Sequence, residues 1–429
     1  KKCKKLNQVD FNLFDIFNQK LSASQQQKLA NLRASSIENN ICLSRKNIQS
    51  SFKRRSKRTI HLGYISSDFR DHPIGNLVQQ LFKLHDREKF TVYCYSIGPN
   101  DSSKYRENIE EDCDYFYDVS RFSYTKIASL IRKSSIDILI DLNGYTAHSR
   151  PEIFMIQSAP IQINYLGNPG TMGTKNIQYI ITNKTITPPE QERYISEKCI
   201  FLPNCRQVTN DRQTLNFKEM ALKNSKSNNS FIYCCFNRVE KIDSVVFNIW
   251  MNILSRVPNS ALWLLRSNPY AENNLKQYAD DYGIDSKRLV FINPLSKNYL
   301  LEKQAAVDLF LDTLYFNASA TAINSLWVGV PVLTLPGETF MSRVGASLLM
   351  GVDMPELIAS SLIEYEDIAV DFAQNPSKLS LLRRKLINQR FNLPLFKVSR
   401  TVKLLEKGYL QAWQNHLNGR LPVSLNVEE

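Results

Sequence analysis

The chain has 429 residues, 43% hydrophobic and 22% charged, which provides for two or three separate cores and excludes a disordered or low-complexity protein. Its net charge of +13 would point to nucleic acid if it were spread evenly, but residues 1–58 hold 14 Lys and Arg against 3 Asp and Glu. Some +11 of the charge therefore precedes Thr59, and the globular remainder is close to neutral at +2.

At the amino end the chain starts Lys-Lys-Cys, with no Met and no basic-then-apolar-then-small pattern, so a further upstream segment is expected. Residues 1–58 read as helical, with Ser22 and Ser24 as candidate N-caps ahead of QQQKLANLRASSIE and no internal repeat. The run Lys53, Arg54, Arg55, Lys57, Arg58 has no aromatic residues among its cations and reads as a solvated basic connector, so nucleic acid is not an expected partner.

From Thr59 onward, β-rich runs alternate with segments of helical period, the pattern of parallel sheets with crossover helices. The first block predicts strands at 59–66, 90–96, 136–141, 161–165, 177–182 and 198–202, with helices at 75–85 and 124–133. A polar stretch, 206–229, marks a boundary. The second block predicts strands at 231–236, 261–266, 289–292, 308–312 and 330–335, and helices at 244–257, 272–282, 298–306 and 320–327. The expected organisation is α/β: two Rossmann-like, doubly wound domains, 59–229 and 230–390, facing a cleft between the carboxyl ends of their strands. Residues 1–58 form a short helical segment before them, and 391–429 a C-terminal helix packing back and a tail. The longest apolar stretch, Val307 to Leu335, is interrupted by Asp308, Asp312, Asn317 and Asn324, so no membrane span is expected. Eight cysteines without a CxxC pair indicate buried thiols in a reducing, cytoplasmic setting.

Four loop segments at predicted strand ends carry candidate chemistry. SSDFRDHP, Ser66 to Pro73, offers His72 as a proton acceptor or orienting group, or equally as a cap before Pro73. DLNGYTAHSRP, Asp141 to Pro151, is followed by APIQINYLGNPGTMG, whose Gly167, Gly170 and Gly173 allow sharp turns and close backbone approach; an ordinary turn would use them too. Neither matches a Walker loop or a GxGxxG fingerprint. FNRVEKID, Phe236 to Asp243, puts Lys241 before a helix, where an ammonium and free N–H groups suit a diphosphate, although a surface lysine is the plainer alternative. LDTLYFNASATAINSLW with VGVPVLTLPGETFMSR, Leu311 to Arg343, supplies a helix N-terminus near Ser319 to Thr321, and Glu338 in a Pro-Gly turn.

Taken in order, SSDFxxHP, LNGYT, APIQ with LGxPGTxG, YIIT, SEK, FNxxxKID, NILxRVPNSxLWLLR, LDT, PGETxxSR, EYEDIAV and QRxxxPLF with YLQxW resemble the catalytic region of the O-GlcNAc transferase (SPINDLY-like) family over residues 59 to about 416. The resemblance implies a GT-B type fold. It also implies an inverting, metal-independent protein O-glycosyltransferase, with no cofactor, that moves a sugar (GlcNAc) from a UDP-sugar donor to Ser or Thr hydroxyls of a protein acceptor. His72 corresponds to the family's active-site histidine and Lys241 to its diphosphate-stabilising lysine. Leu295, Ser296 and Lys297 correspond to a base-contacting segment, and Ser319, Ala320 and Thr321 to a diphosphate-binding helix start.

The chain also departs from the family pattern. Arg238 stands where relatives have Gln, Ser319-Ala320-Thr321 where they have His-Thr-Thr, Asn324 where they have the ribose-holding Asp, and Leu300 where they have His. These departures leave open a GDP-fucose donor, an Asn-glycosylating relative, or a non-catalytic partner that binds substrate protein. Relatives carry upstream tetratricopeptide repeats, an oligomerising region that the 58 residues here do not replace.

Overall fold

The computed structural model describes residues 13–16, 19–46, 59–167, 170–210 and 230–429. The basic run from Lys53 to Arg58 and the greater part of the polar stretch 206–229 lie outside these. The chain divides into two compact units, one comprising residues up to Asn210 together with Lys397–Glu429, the other continuing to Phe396.

In unit 1 the first long helix, α1 (Ala23–Lys46), begins at a reciprocal cap. Ser22 Oγ accepts from the Gln25 N–H at 3.3 Å, and Gln25 Oε1 accepts from the Ser22 N–H at 2.9 Å. Ser22, not Ser24, is therefore the cap. Ala30, Ala34, Ile37 and Ile41 form a buried stripe on this helix, and Glu38 accepts from Thr174 Oγ1 at 2.6 Å and Asn176 Nδ2 at 2.8 Å.

The sheet of unit 1 comprises β1 (Ile60–Ser66), β2 (Phe90–Ser96), β3 (Tyr115–Asp118), β4 (Ile138–Asp141), β5 (Ile161–Asn164), β6 (Tyr179–Thr182) and β7 (Lys198–Phe201), joined by β13 (Leu425–Asn426). Their order is β13-β7-β6-β5-β4-β1-β2-β3, with β1 parallel to both β2 and β4. Because the chain runs outward from β1 in one direction and resumes at β4 on its other side, the carboxyl ends of β1 and β4 flank the topological switch point. Both faces of these strands are covered, which explains their nearly unbroken apolar sequences.

Three differences from the sequence reading appear here. The predicted helix 75–85 is shorter: α2 (Pro73–Val78) stops after six residues and turns carry the chain to β2. Helix α3 (Lys104–Asp112) and edge strand β3 were not predicted, since KYRENIEED buries only Arg106 and Ile109 and YFYD is half exposed, whereas α4 (Tyr124–Lys133) lies where 124–133 predicts a helix. Finally, the tail after the expected C-terminal helix, α12 (Val398–Leu417), forms a strand that was not predicted: β13 extends the first sheet, Leu425 pairing with Ile200. The helix is anchored through Glu406, which accepts from His85 Nδ1 at 2.9 Å and from the Asp86 N–H at 2.7 Å, while His85 Nε2 meets Tyr64 Oη at 2.8 Å.

Unit 2 contains β8 (Phe231–Cys235), β9 (Ser260–Leu265), β10 (Leu289–Ile292), β11 (Leu309–Leu311) and β12 (Val332–Leu333), all parallel, in the order β10-β9-β8-β11-β12. Its switch point lies between β8 and β11. Around the sheet run α5 (Ser244–Arg256), α6 (Pro269–Asp281), α7 (Lys297–Ala305), α8 (Ala320–Trp327), α9 (Val344–Gly351), α10 (Leu362–Gln374) and α11 (Pro376–Gln389). Asp243 caps α5, its Oδ1 accepting from the N–H groups of Val245 at 2.8 Å and Val246 at 3.2 Å. Among the described residues no helix is long and apolar enough to cross a membrane. Cys94, Cys199, Cys205, Cys234 and Cys235 are buried.

Candidate functional site

The loop after β1 carries SSDFRDHP, and its last residue before Pro73 caps α2. His72 Nδ1 accepts from the Ile74 N–H at 3.2 Å, and Pro73 occupies the first helical position, where no N–H is needed. Asp68 Oδ2 lies 3.6 Å from the same nitrogen. Burial moves the half-exposed imidazole below its ordinary pKa; Asp68 opposes that shift and Arg70 reinforces it. A neutral ring whose Nδ1 accepts a hydrogen bond carries its proton on Nε2, which has no partner among the described residues.

The first two motifs, 76 residues apart in sequence, meet through Asn143. Its Oδ1 accepts from the Ser67 N–H at 2.7 Å, and its Nδ2 lies 2.9 Å from both Ser67 Oγ and Asp68 Oδ2. Asp141, at the end of β4, holds that turn by accepting from the N–H groups of Asn143 at 2.9 Å and Gly144 at 3.0 Å. Burial pushes its carboxyl up to about 6. The glycine-rich segment plays a different part: Gly173, at φ +67°, lies against the backbone of α1, where an added Cβ would sit 2.3 Å from the Ala30 carbonyl carbon. That close approach is between two parts of the protein.

In unit 2 the loops after β8 and β11 converge at the switch point. The chain leaves β8 through Arg238 into a 3₁₀ turn, Val239–Lys241. Lys241 is half-buried; its Nζ donates to the Asn317 carbonyl at 3.1 Å and lies 3.7 Å from the centre of the Phe316 ring. Burial lowers its pKa from 10.5 to about 8, opposed by Asp312 and Cys235 and assisted by Arg238. No carboxylate comes within ion-pair distance of it among the described residues.

Beneath it lies a residue that reading the motifs did not single out. Asp312 is fully buried and accepts from the N–H groups of Thr313 at 2.9 Å and Ala318 at 2.7 Å, from Thr334 Oγ1 at 2.9 Å and from Asn237 Nδ2 at 3.4 Å. Burial raises its carboxyl to about 6 against these bonds and Lys241. The available signal was a carboxylate closing an otherwise apolar strand, DLFLD, just before Thr313. Gly345 makes room for it, because a Cβ there would lie 2.6 Å from both Asp312 Oδ2 and Thr334 Oγ1.

Ser319 heads α8 at φ −113° and ψ −89°, and its side chain makes no capping bond. The first N–H groups of this helix have no acceptor within the helix itself. Ser319, Ala320, Thr321 and, one turn on, Asn324 are half-buried. Helix α7 is coupled to them: Gln304 Nε2 donates to the Thr321 carbonyl at 3.2 Å and to Ser325 Oγ at 3.2 Å. Ser296 caps α7, its Oγ accepting from the Tyr299 N–H at 3.1 Å, Lys297 begins that helix, and Leu295 is 71% exposed.

The structure thus brings Lys241 to the loop that leads into Ser319. Arg238 is exposed and paired with Glu240 at 3.4 Å, and the segment Leu295–Lys297 follows β10 at the edge of the sheet. His72 belongs to unit 1. Among the described residues no group of three or more His, Cys, Asp and Glu is arranged to hold a metal ion.

Comparison with known proteins follows the same lines. The chain is 39% identical over 381 residues to a probable UDP-N-acetylglucosamine–peptide N-acetylglucosaminyltransferase SEC of Arabidopsis thaliana, covering 87% of this chain and 39% of that protein. It is 28% identical over 380 residues to the corresponding SPINDLY protein of Arabidopsis thaliana, covering 87% of this chain and 41% of that one. The chain therefore spans about two fifths of the length of these relatives. In three dimensions it matches a mutant O-GlcNAc transferase of Thermobaculum terrenum with a TM-score of 0.84 at 24% identity, covering 96% of this chain and 79% of that one, which shows a shared two-domain α/β fold of GT-B type. The family model for glycosyl transferase family 41 matches residues 17–231 and 223–405, and the chain belongs to that family.

Proposed function

We propose that the chain is a protein O-glycosyltransferase that moves GlcNAc from a UDP-sugar to Ser or Thr hydroxyls, with inversion and without a metal ion. The observation that carries the reading is Lys241: a half-buried ammonium without a carboxylate partner, beside the uncapped start of α8 at the switch point of a parallel sheet. In the reaction, a bond forms between the acceptor oxygen and the anomeric carbon while the bond from that carbon to the diphosphate oxygen breaks. The electron pair leaves with the nucleoside diphosphate, and the hydroxyl proton passes to an oxygen of that departing diphosphate. Charge develops on the diphosphate, where an ammonium fixed in place and unsatisfied helix N–H groups act as electrostatic stabilisers.

His72 supplies a hydrogen bond rather than a base in this scheme. With Nδ1 engaged by the Ile74 N–H, its Nε2–H orients the acceptor oxygen. It can take the proton only if Nδ1 gives up the cap and turns to Asp68. Leu295, Ser296 and Lys297 are assigned to the nucleotide base, Thr321 and Asn324 to the phosphate and ribose side, and Arg238 to a supplementary charge near the phosphates.

The test is calorimetric titration of the chain with UDP and with GDP, followed by transfer of radiolabelled GlcNAc from UDP-GlcNAc to proteins of a cell extract. Binding of UDP in preference to GDP and label in protein are expected. Failure to bind either nucleotide would refute the enzyme reading, and binding without transfer would leave a substrate-binding partner.

A further inference from the structure

Unit 1 contains a cavity of about 910 Å³ that the proposed transfer reaction does not use, although one wall comes from the DLNGYTAHSRP segment. Its walls are the loop after β2 (Ile97 to Asn100), the turn after β3 (Asp118 to Phe122) and the segment His148 to Arg150. Arg121 and His148 are exposed, and Arg150 is half-buried. Arg150 is held rigidly by main-chain oxygens: Nη1 donates to the Phe122 carbonyl at 2.5 Å and Nη2 to the Ser120 carbonyl at 2.6 Å. Carbonyl partners fix a guanidinium without neutralising it, and neither Arg121 nor Arg150 has a carboxylate within ion-pair distance among the described residues.

Asp118 is the carboxylate in the wall, and both of its oxygens are engaged. Oδ2 accepts from Arg106 Nη2 at 3.0 Å, a guanidinium shared with Glu110 at 2.5 Å; Oδ1 accepts from the Ser120 N–H at 3.1 Å and Ser120 Oγ at 2.6 Å. What the cavity offers a ligand is therefore cationic. His148 stands beside the two arginines at φ +61°, a left-handed conformation uncommon for a residue with a Cβ.

We propose that this cavity binds acidic side chains of the polypeptide acceptor, an inference that rests on the transferase reading for the identity of the ligand. Its size favours a polypeptide over a lone anion, since it is near the upper end of the roughly 300–1,000 Å³ typical of ligand pockets. Strand β3 bordering it is the last of the sheet, with one edge unpaired by any strand of that sheet, along which an extended chain can lie. Residues next to two of its walls are bonded to the His72 loop: the Asp71 N–H donates to Asp101 Oδ2 at 2.7 Å, and Ser67 Oγ donates to the Ala147 carbonyl at 3.5 Å. Acceptors with Glu or Asp flanking the modified hydroxyl would be selected by charge.

The experiment measures fluorescence anisotropy of two labelled peptides that differ only in carrying Glu or Gln on either side of a central serine, with no donor present. The Glu peptide is expected to bind at least tenfold more tightly at low salt. The variant Arg121→Glu with His148→Glu should abolish that preference while leaving UDP binding and the thermal midpoint unchanged. Equal binding of the two peptides, a preference that survives in the variant, or binding of inorganic phosphate without any peptide preference would each overturn the proposal. UDP titration of the same samples reports on the transferase reading separately, so the two can fail independently.

Discussion

At the scale of single residues, His72 has two roles that substitution can separate. Replacing His72 with Ala removes the cap of α2, which costs about 1 kcal/mol, together with the Nε2–H assigned to the acceptor. Asn is a strong capping residue, so His72→Asn should restore the thermal midpoint while transfer stays at least tenfold down. Recovery of transfer along with stability would reduce His72 to a cap. Lys241 gives a pH signature. Its native pKa of about 8 lies below its ordinary 10.5, so as pH rises through that window the unfolded chain binds more protons than the native one and this group makes folding more favourable. Transfer should move the opposite way, falling above pH 8 as the ammonium is lost. In Lys241→Met both trends should vanish, with transfer down by several orders of magnitude; urea titrations and initial rates between pH 7 and 10.5 measure them. In the sequence both positions stood out only as loop residues after strand-like runs, a histidine before proline and a lysine before a helix; the roles proposed for them come from the family resemblance. Asp312 was harder to see: its importance comes from the Thr313, Ala318, Thr334 and Asn237 donors folded around it, and only the fold brings them there.

At the scale of elements, the start of α8 makes the most pointed prediction. Ser319 leaves its helix uncapped, so Ser319→Asp should improve the helix by up to about 1 kcal/mol through the missing cap. The same carboxylate would oppose the diphosphate at that terminus, and UDP affinity should fall at least tenfold by calorimetry. A variant that is more stable and binds UDP as before would show that the diphosphate lies elsewhere. The elements themselves were legible wherever both faces of a strand are buried, as in IHLGYIS or FIYCC. Those that escaped, α3, β3 and β13, lie at edges where short, polar or half-exposed stretches pair because neighbours hold them in place. The glycines near Pro169 looked like a ligand loop, whereas Gly173 seats α1, a contact that local sequence cannot reveal.

At the scale of the whole molecule, the anchoring of α12 makes unit 1 depend on residues far along the chain. Glu406→Ala would leave His85 Nδ1 and the Asp86 N–H buried without an acceptor, at about 1–3 kcal/mol for each orphaned donor. Urea denaturation should then show unit 1 losing stability by that order, while UDP binding by unit 2 persists. Simultaneous loss of both would make the two units a single cooperative body. The alternation of strands and helices revealed two α/β units and the C-terminal helix was expected to pack back, but the pairing of β13 did not show, because a two-residue strand carries no period.

That return also sets an order of events in synthesis. Unit 2 is an insertion: everything it needs, from β8 to Phe396, leaves the ribosome before Leu425 exists to pair with Ile200. Unit 2 can therefore mature on the nascent chain while the first sheet waits, one edge open, for the closing residues to be translated.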